Sequence, residues 1–301
     1  MKKSAPEGLV ADQGGRTWHA PAPLDLNAFV VDYLARQCSG YCERFTIFPN
    51  ARIELIFNFG SPYLTNAVVG QPLRALAPAS LFAPKLARNE HQCGPHTDWF
   101  LVQLSVSGCL TLLGESARDL VQQDRPLTDI IGRDADQLIA SLRNASSFGQ
   151  RCQLFSSWAR ARTTVAKLSR ISRLCEHART IPMGSVRDAA RWCGIGERRL
   201  RDLFHAELGA SPKQWLSIAR AERLWAALHP VSHATPRLWW EFADESHAHR
   251  EFKRWTGLTI GQYQQIKSSG DGLVNGGARQ LVHPGPLARQ CPPDVWDAPG
   301  G

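Results

Sequence analysis

The segment VRDAARWCGIGERRLRDLF, residues 186–204, contains two helical patterns separated by a glycine-containing turn. Small and apolar residues recur at i, i+3 and i+4 in its first part, which predicts a helix that a second helix can approach closely. These residues are Val186, Ala189 and Ala190. In the turn, Gly194 can adopt a positive φ, and Ile195 is expected to fill the space between the helices. The second helix has a buried stripe at Leu200, Leu203 and Phe204. The segment therefore predicts a helix-turn-helix unit.

The opposite face of the second helix is charged and is expected to face solvent. It contains Glu197, Arg198, Arg201 and Asp202, with Arg199 to one side. Arginine can bind guanine through two hydrogen bonds, and a helix N-terminus favours phosphate. The pattern is thus typical of a helix that reads the major groove of DNA. A merely solvated arginine face is the alternative interpretation, but it does not account for the turn and the apolar stripes.

A second unit with similar spacing follows. Ser211 is a natural N-cap and Pro212 fits a first helical turn, so a long helix is expected from there to about Leu228. Five residues separate Phe204 from Gly209, and the same interval separates Phe252 from Gly257. This repeat predicts two related helix-turn-helix units joined by one long helix.

Taken together, residues 185–263 resemble the DNA-binding module of the AraC/XylS family of transcription regulators. The first half of the match is Ala190-x3-Gly194-Ile195-x4-Leu200-x2-Leu203-Phe204-x4-Gly209-x-Ser211-Pro212. The second half is Asp244-x-Ser246-His247-x2-Arg250-Glu251-Phe252-x4-Gly257-Leu258-Thr259. The resemblance implies that the second helix of each unit enters a major groove. The DNA-contact candidates that it implies are Arg198, Arg199, Arg201 and Asp202 in the first unit, and Glu245, Ser246, His249 and Arg250 in the second.

The sequence departs from the family pattern mainly in the second unit. Gly196 replaces a serine that would cap the first recognition helix, and Glu241 stands where a turn glycine is expected. Pro236 falls in the expected first helix of the second unit, and Ala248 replaces a large apolar residue. We therefore expect the first unit to read bases better, with the second unit distorted or contacting mainly phosphate.

The residues before this module predict a β-rich region and a helical linker. Strands are expected at 41–48 and 52–59, joined as a hairpin by Pro49-Asn50, and then at 67–69, 79–82 and 99–106. Residues 24–37 are expected to form a short helix, and further helices are expected at 107–113, 134–142, 153–162 and 165–179. The predicted class is α+β: a β-rich sandwich or barrel with a helical linker, then an all-α double helix-turn-helix domain. The expected boundaries are a flexible arm at 1–23, a sensor or dimerisation domain at 24–180, the DNA-binding domain at 181–267 and a disordered tail at 268–301.

A weaker resemblance to the N-terminal region of a subset of AraC/XylS-type regulators supports the sensor assignment. It rests on Pro49-x3-Ile53-Glu54-Leu55-Ile56-Phe57-Asn58-Phe59-Gly60, on Gly70, and on residues 126–132. It implies a cupin-like domain that binds a small-molecule effector or a second copy of the chain. Together with the C-terminal match it implies double-stranded DNA as the main partner, with RNA polymerase as a further one.

Few residues before position 180 point to other chemistry. His91-x-Cys93-x2-His96 beside Glu90 has metal-ligand side chains, but a surface loop is the better interpretation because no fourth ligand follows at a standard spacing. Cys38-x3-Cys42 is a weaker candidate still. Glu54 alternates with apolar residues, so it is expected to face solvent; a position inside the barrel, touching a ligand, is the alternative. We therefore assign no catalytic residues, no metal and no cofactor.

Composition limits the remaining classes. The 301 residues carry a net charge of +8, and 43% are hydrophobic, which excludes wholesale disorder. Residues 185–267 contain 13 Lys or Arg and 9 Asp or Glu, so half of the net charge lies there. No apolar run reaches the roughly 18–20 residues of a membrane span, no secretion signal is evident, and the eight cysteines are scattered as in reduced cytosolic proteins.

The sequence thus predicts a cytoplasmic, sequence-specific DNA-binding transcription regulator that is not an enzyme, has no membrane contact and responds to a small molecule. Two alternatives stay open at this point. One is a metal-dependent cupin-like enzyme fused to a DNA-targeting module, and the other is an interaction protein whose DNA-binding module is degenerate.

Overall fold

Aromatic and β-branched residues recur through the first hundred residues, and there the chain forms strands. The computed structural model describes residues 8–12, 15–40, 43–82, 84–121, 123–163, 168–227, 242, 244–268 and 273–274. Its strands are β1 (Gly8–Asp12), β2 (Gly15–Pro21), β3 (Val30–Ser39), β4 (Glu43–Ile47), β5 (Ile53–Asn58), β6 (Tyr63–Thr65), β7 (Arg74–Ala75), β8 (Ala79–Phe82), β9 (Asn89–Cys93), β10 (His96–Leu104), β11 (Asp124–Pro126) and β12 (Leu273–Val274).

The helices follow the strands along the chain. They are α1 (Val106–Gly108), which continues as a π-helix (Cys109–Leu113), a 3₁₀-helix (Ala117–Leu120), α2 (Thr128–Ile131), α3 (Arg133–Arg143), α4 (Phe148–Arg162), α5 (Arg170–Thr180), α6 (Val186–Trp192), α7 (Glu197–Leu208), α8 (Pro212–Ala227), α9 (Glu245–Thr256) and α10 (Ile260–Ser268). The predicted α+β class, β-rich first and helical after it, is confirmed. None of the described helices is long and apolar enough to span a bilayer.

The strands form two sheets that pack face to face. One sheet has the order β1-β2-β3-β10-β5-β8-β11 and is antiparallel. The other has the order β12-β4-β9-β6-β7, with β12 parallel to β4. Both sheets contribute to one buried apolar cluster, which consists of Leu34, Ile56, Tyr63, Phe82, Cys93 and Trp99. On its other face, the larger sheet packs Tyr33 and Phe57 against Phe155 of α4.

The N-terminal expectations were wrong in two places. The flexible arm expected at 1–23 contains β1 and β2, and β2 pairs along its length with β3. The short helix expected at 24–37 was also wrong, since β3 occupies most of that segment. β3 is covered on both faces, so nearly every residue in its middle is buried. Its apolar residues therefore do not alternate with polar ones, and Val30, Tyr33 and Leu34 match helical spacing by chance.

The predicted hairpin around Pro49-Asn50 does not form, although both strands exist. β4 pairs with β9 in the smaller sheet, whereas β5 pairs with β10 and β8 in the larger sheet. Pro49 and Asn50 therefore connect the two sheets. The strand expected at 67–69 is absent, and β6 ends at Thr65. The expected strands at 79–82 and 99–106 are present as β8 and β10, and the four later helices are present with shifted ends.

Some expectations fall outside the described residues. These are the connection at 230–236, Pro236 and Glu241 in the second unit, and the tail apart from Leu273–Val274. The six cysteines whose state the structure gives are reduced, as expected: Cys38, Cys93, Cys109, Cys152, Cys175 and Cys193.

Candidate nucleic-acid interface

The predicted first helix-turn-helix unit is present as α6, a turn and α7. The Ser185 side chain caps α6 by accepting a hydrogen bond from the Asp188 amide (3.1 Å). In the turn, Gly194 has a φ of 65°, and the Ile195 amide donates to the Ala190 carbonyl (3.0 Å). The inner face of both helices is fully buried and consists of Ala189, Ala190, Leu200, Phe204 and Leu208. The predicted apolar stripe therefore lies inward, although Val186 and Leu203 at its edge are only partly buried against the same core.

The charged face of α7 is exposed. All four candidates on it face solvent: Arg198, Arg199, Arg201 and Asp202. Arg201 forms an ion pair one helical turn away with Glu197 (3.1 Å). Gly196, at the N-cap, gives α7 no side-chain cap, as expected from its missing hydroxyl. The first amides of α7 thus have no side-chain acceptor, and arginines lie beside them.

Two arginines that the sequence reasoning did not select extend this surface. Arg187 and Arg191 lie on α6 with their side chains 77% and 75% exposed. Arg187 pairs with Glu197 of α7 (3.5 Å), so the two helices present one continuous basic surface. Their i, i+4 spacing on the side away from the alanines was the pattern that could have identified them.

The second recognition helix, α9, repeats the design of the first. Asp244 caps it by accepting a hydrogen bond from the His247 amide (2.6 Å). Its four candidates are exposed: Glu245, Ser246, His249 and Arg250. Glu245 Oε1 lies 3.7 Å from His249 Nε2, and Asp244 Oδ1 lies 4.0 Å from Arg250 Nη2, so a carboxylate lies near each of these candidates. The basic residues Lys253 and Arg254 lie exposed in the last turn.

The repeated Phe-to-Gly interval has a structural meaning. Phe204 and Phe252 are fully buried, and each recognition helix ends at a glycine in the left-handed region, with φ of 63° at Gly209 and 70° at Gly257. Ala248, the residue that replaces a larger one in the family pattern, is also fully buried.

Helix α8 connects the two units through specific side chains. Trp215 packs edge-on against Phe204 of the first unit, with ring centroids 6.2 Å apart. Two residues further along, the Ser217 hydroxyl accepts a hydrogen bond from Trp255 Nε1 of the second unit (2.8 Å) and donates one to the Glu251 carboxylate. Contacts from one rigid helix to both units fix how the two recognition helices are oriented relative to each other.

Gly194 provides a direct test of the turn. A Cβ at this position would meet no atom within 4 Å, so the cost of Gly194→Ala comes from the positive φ alone. We expect a loss of about 1–2 kcal/mol in the free energy of unfolding, measured by urea denaturation. Gly196→Ser is the matched control, because its φ of −73° is ordinary and serine can cap α7, so stability should stay equal or rise by a few tenths of a kcal/mol. Equal effects of the two substitutions would contradict this account of the turn.

The β-rich region contacts both units. Phe48, which follows β4, packs on Tyr263 of α10 with ring centroids 6.1 Å apart. Arg52 Nε lies 3.4 Å from Glu222 Oε1 of α8. Ser116 donates a hydrogen bond to the Ala206 carbonyl near the end of α7 (3.1 Å). The orientation of the DNA-binding module is therefore tied to the β-rich region.

The surface loop expected for the candidate metal ligands is not what the structure shows. These residues lie along β9 and at the start of β10. His91 and Cys93 are buried on β9, whereas His96 is exposed. Both ring nitrogens of His91 have partners: Nδ1 lies 2.8 Å from Tyr63 Oη, and Nε2 lies 2.6 Å from Asn89 Nδ2. Within the part of the chain that the structure describes, no three His, Cys, Asp or Glu side chains are grouped so as to hold a metal ion.

Glu54 was expected to face solvent, but this expectation was wrong. Its side chain lines a cavity between the two sheets. Burial raises the pKa of its carboxyl group, and the nearby Arg52 partly offsets this effect. The less favoured interpretation, a side chain directed into the barrel, is therefore the one that the structure supports.

Comparison with known proteins agrees with the C-terminal geometry. Residues 189–266 match a family model described as a helix-turn-helix domain, which is of the AraC type. No curated protein sequence matches the chain. Among solved structures, ToxT from Vibrio cholerae is 10% identical with a TM-score of 0.43, covering 78% of this chain and 97% of that one. The AraC-like transcriptional activator CuxR is 12% identical with a TM-score of 0.30, covering 74% and 85%. Structural similarity this low does not indicate a function. The match of residues 189–266 to the helix-turn-helix family model supports a DNA-binding regulator.

Proposed function

We propose that this chain, whose residues 189–266 form an AraC-type helix-turn-helix domain, is a sequence-specific DNA-binding transcription regulator controlled by a small molecule bound in its N-terminal region. The observation that carries the proposal is the geometry of α7. Its apolar stripe is buried, its arginines are exposed, and the turn before it has the backbone that a helix-turn-helix unit requires.

In this proposal, affinity and specificity come from different residues. Contacts to phosphate supply most of the affinity and no sequence information. Arg187, Arg191 and Arg199, at the edge of the α7 surface, suit that role, and so does Lys253 in the second unit. Base edges are read by Arg198 and Arg201 from α7 and by His249 and Arg250 from α9. Asp202, Glu245 and Ser246 border these contacts and restrict the bases that fit, by accepting from cytosine or adenine amino groups.

The second unit reads DNA less strongly than the first. Its candidate set holds one arginine, Arg250, whereas the candidate set of the first unit holds three, Arg198, Arg199 and Arg201. Ion pairs occur in both units, since Arg201 pairs with Glu197 and Arg250 lies 4.0 Å from Asp244, so the difference is in the number of arginines. A second copy of the chain and RNA polymerase complete the set of macromolecular partners in the proposal.

One experiment tests the proposal as a whole. Random double-stranded DNA is selected for binding to the full chain at two salt concentrations, and the bound sequences are compared. We expect one enriched sequence with a stronger half in contact with the first unit, and a steep fall of affinity with salt. Salt-sensitive binding without enrichment would overturn the proposal in favour of an interaction protein whose DNA-binding module is degenerate.

Arg201→Ala tests the assignment of base contacts. We expect a loss of about 1–3 kcal/mol in binding free energy for the selected sequence and a relaxed preference at one base pair. The readouts are fluorescence anisotropy and a repeated selection. Arg133→Ala, which removes an exposed arginine from the first residue of α3 outside the module, is the matched control and should change neither readout. An unchanged preference in Arg201→Ala would remove this residue from the base-reading set.

A further inference from the structure

The glycines that end the two recognition helices differ from the other glycines of positive φ. Seven glycines have a positive φ in the part of the chain that the structure describes. At five of them a Cβ would meet no described atom within 4 Å: Gly40, Gly70, Gly114, Gly132 and Gly194. At Gly209, which ends α7, a Cβ would lie 2.9 Å from Val121 Cγ2. At Gly257, which ends α9, it would lie 2.6 Å from Arg88 Cζ. Both close neighbours belong to the β-rich region.

Arg88 lies against the end of α9. Its two terminal nitrogens, Nη2 and Nη1, would be 2.8 and 2.9 Å from a Cβ at Gly257, so the guanidinium group faces the glycine with its flat side. The last carbonyl groups of a helix have no partner within the helix and carry partial negative charge. The cation therefore lies where a helix end attracts one. Its backbone is held in the β-rich region, because the Arg88 carbonyl accepts a hydrogen bond from the Val69 amide (2.9 Å).

The β-rich region contacts the end of α7 through different groups. The Ser116 hydroxyl lies 3.1 Å from the Ala206 carbonyl oxygen and 3.3 Å from that of Glu207, so it donates to the last turn of α7. Gly209 also lies against the backbone of Arg118, whose Cα and carbonyl oxygen would each be 3.1 Å from a Cβ. A hydroxyl donor at one helix and a cation at the other thus lie at the carbonyl ends of both recognition helices.

The candidates for base reading lie at the opposite ends of these helices. Arg198 and Arg201 are in the first two turns of α7, and His249 and Arg250 are in the first two turns of α9. Each helix has 12 residues and is therefore about 18 Å long. A change of tilt at the end that the β-rich region contacts would displace the base-reading turns at the other end.

We propose that Arg88 is a positioning residue for base reading by the second unit, and that Ser116 has the same role for the first unit. Each holds a recognition helix by its C-terminal end, so that the base-reading turns of both helices meet the base edges together. The β-rich region therefore acts on the two halves of the recognition sequence through two separate contacts. This inference rests on the proposed function, because it requires that α7 and α9 read bases.

Selection of random double-stranded DNA by variants of the full chain tests the two roles. We expect Arg88→Ala and Ser116→Ala each to lower the enrichment of bases in one half of the selected sequence, and in different halves. The expected loss is roughly 2- to 30-fold, the range for residues that act on a binding site without contacting the ligand. Arg201→Ala identifies the half that the first unit reads, which should be the half that Ser116→Ala weakens. Arg133→Ala, at an exposed position of α3, is the control and should leave both halves unchanged.

Hydrogen exchange without DNA tests the contacts themselves. We expect amide exchange to rise in the last turn of α9 in Arg88→Ala and in the last turn of α7 in Ser116→Ala, because each helix end loses a contact. Arg133→Ala should exchange like the wild type. Unchanged exchange at both helix ends would show that these contacts do not hold the helices, and would overturn the inference.

The selection also separates this inference from the proposed function. An equal loss in both halves, or no loss in either, overturns the positioning roles while the wild type still selects one sequence. If the wild type enriches only the half that the first unit reads, α9 reads no bases and the role of Arg88 is overturned. If the wild type enriches no sequence at all, the proposed function is refuted, and the positioning roles fall with it.

Discussion

Phe48→Ala is expected to lower the free energy of unfolding by about 3–5 kcal/mol and to loosen the second helix-turn-helix unit selectively. Phe48 belongs to the β-rich region by sequence but is buried in the apolar cluster of α8, α9 and α10, where Ile218, Phe252 and Tyr263 surround it. Removing the ring leaves a cavity at the contact between the two regions. Amide hydrogen exchange, measured by mass spectrometry, should therefore increase most in α9 and α10.

Phe148→Ala is the matched control, since it removes the same ring from a different core. Phe148 is 7% exposed, stacks with Trp18 and packs edge-on against Phe100, far along the chain from the second unit. It should cost a similar free energy, with exchange rising first in α4 and the strands under it. If Phe48→Ala left exchange in α9 and α10 unchanged, the contact would not stabilise the second unit.

The C-terminal module could be predicted from the sequence because its determinants are local. Helix spacing, the positive φ at Gly194 and the interval from Phe204 to Gly209 all lie within one unit, and each fixes the chain within a few residues. The first unit could therefore be predicted without knowing which other segments of the chain pack against it. The candidate DNA contacts follow in the same way, since the side of a helix opposite its buried stripe must be the exposed side.

The β-rich region could be predicted only as a class, because strand pairing is non-local. Nothing near Pro49 shows that β4 and β5 belong to different sheets, since their partners β9 and β10 lie more than forty residues away. The environment of Lys85 could not be predicted either. Its Nζ is buried with no hydrogen-bond acceptor among the described residues. Lys85 lines the cavity between the sheets together with Asn50, Phe82 and Asn89, and no spacing in the sequence indicates this.

The ion pair between Arg52 and Glu222 joins the β-rich region to α8, and its loss is expected to destabilise the fold. Arg52 Nη1 also donates to Gln103 Oε1 (2.9 Å), and burial keeps the Arg52 and Glu222 side chains only 16% and 10% exposed. Glu54 and Asp32 lie close enough that their charges, with that of Glu222, raise the pKa of Arg52. Arg52→Met would leave these carboxylates without their shared cation, at a cost of about 3–5 kcal/mol in the free energy of unfolding.

A double-mutant cycle separates this pair from simple loss of packing. Glu222→Gln alone should cost less than Arg52→Met, because Arg52 keeps Glu54 and Asp32 beside it, and the double variant should recover part of the loss. The pH dependence adds an independent readout. Burial raises the pKa of Glu54, and this pKa rises further when Arg52 is removed. The ionised carboxylate therefore lowers the free energy of unfolding once the pH exceeds the pKa that Glu54 has in the unfolded chain. The deficit of Arg52→Met measured by urea denaturation should therefore be smaller at about pH 5 than at pH 8. A deficit that is independent of pH and additive with Glu222→Gln would show that Arg52 stabilises the contact between β-rich region and α8 by packing alone.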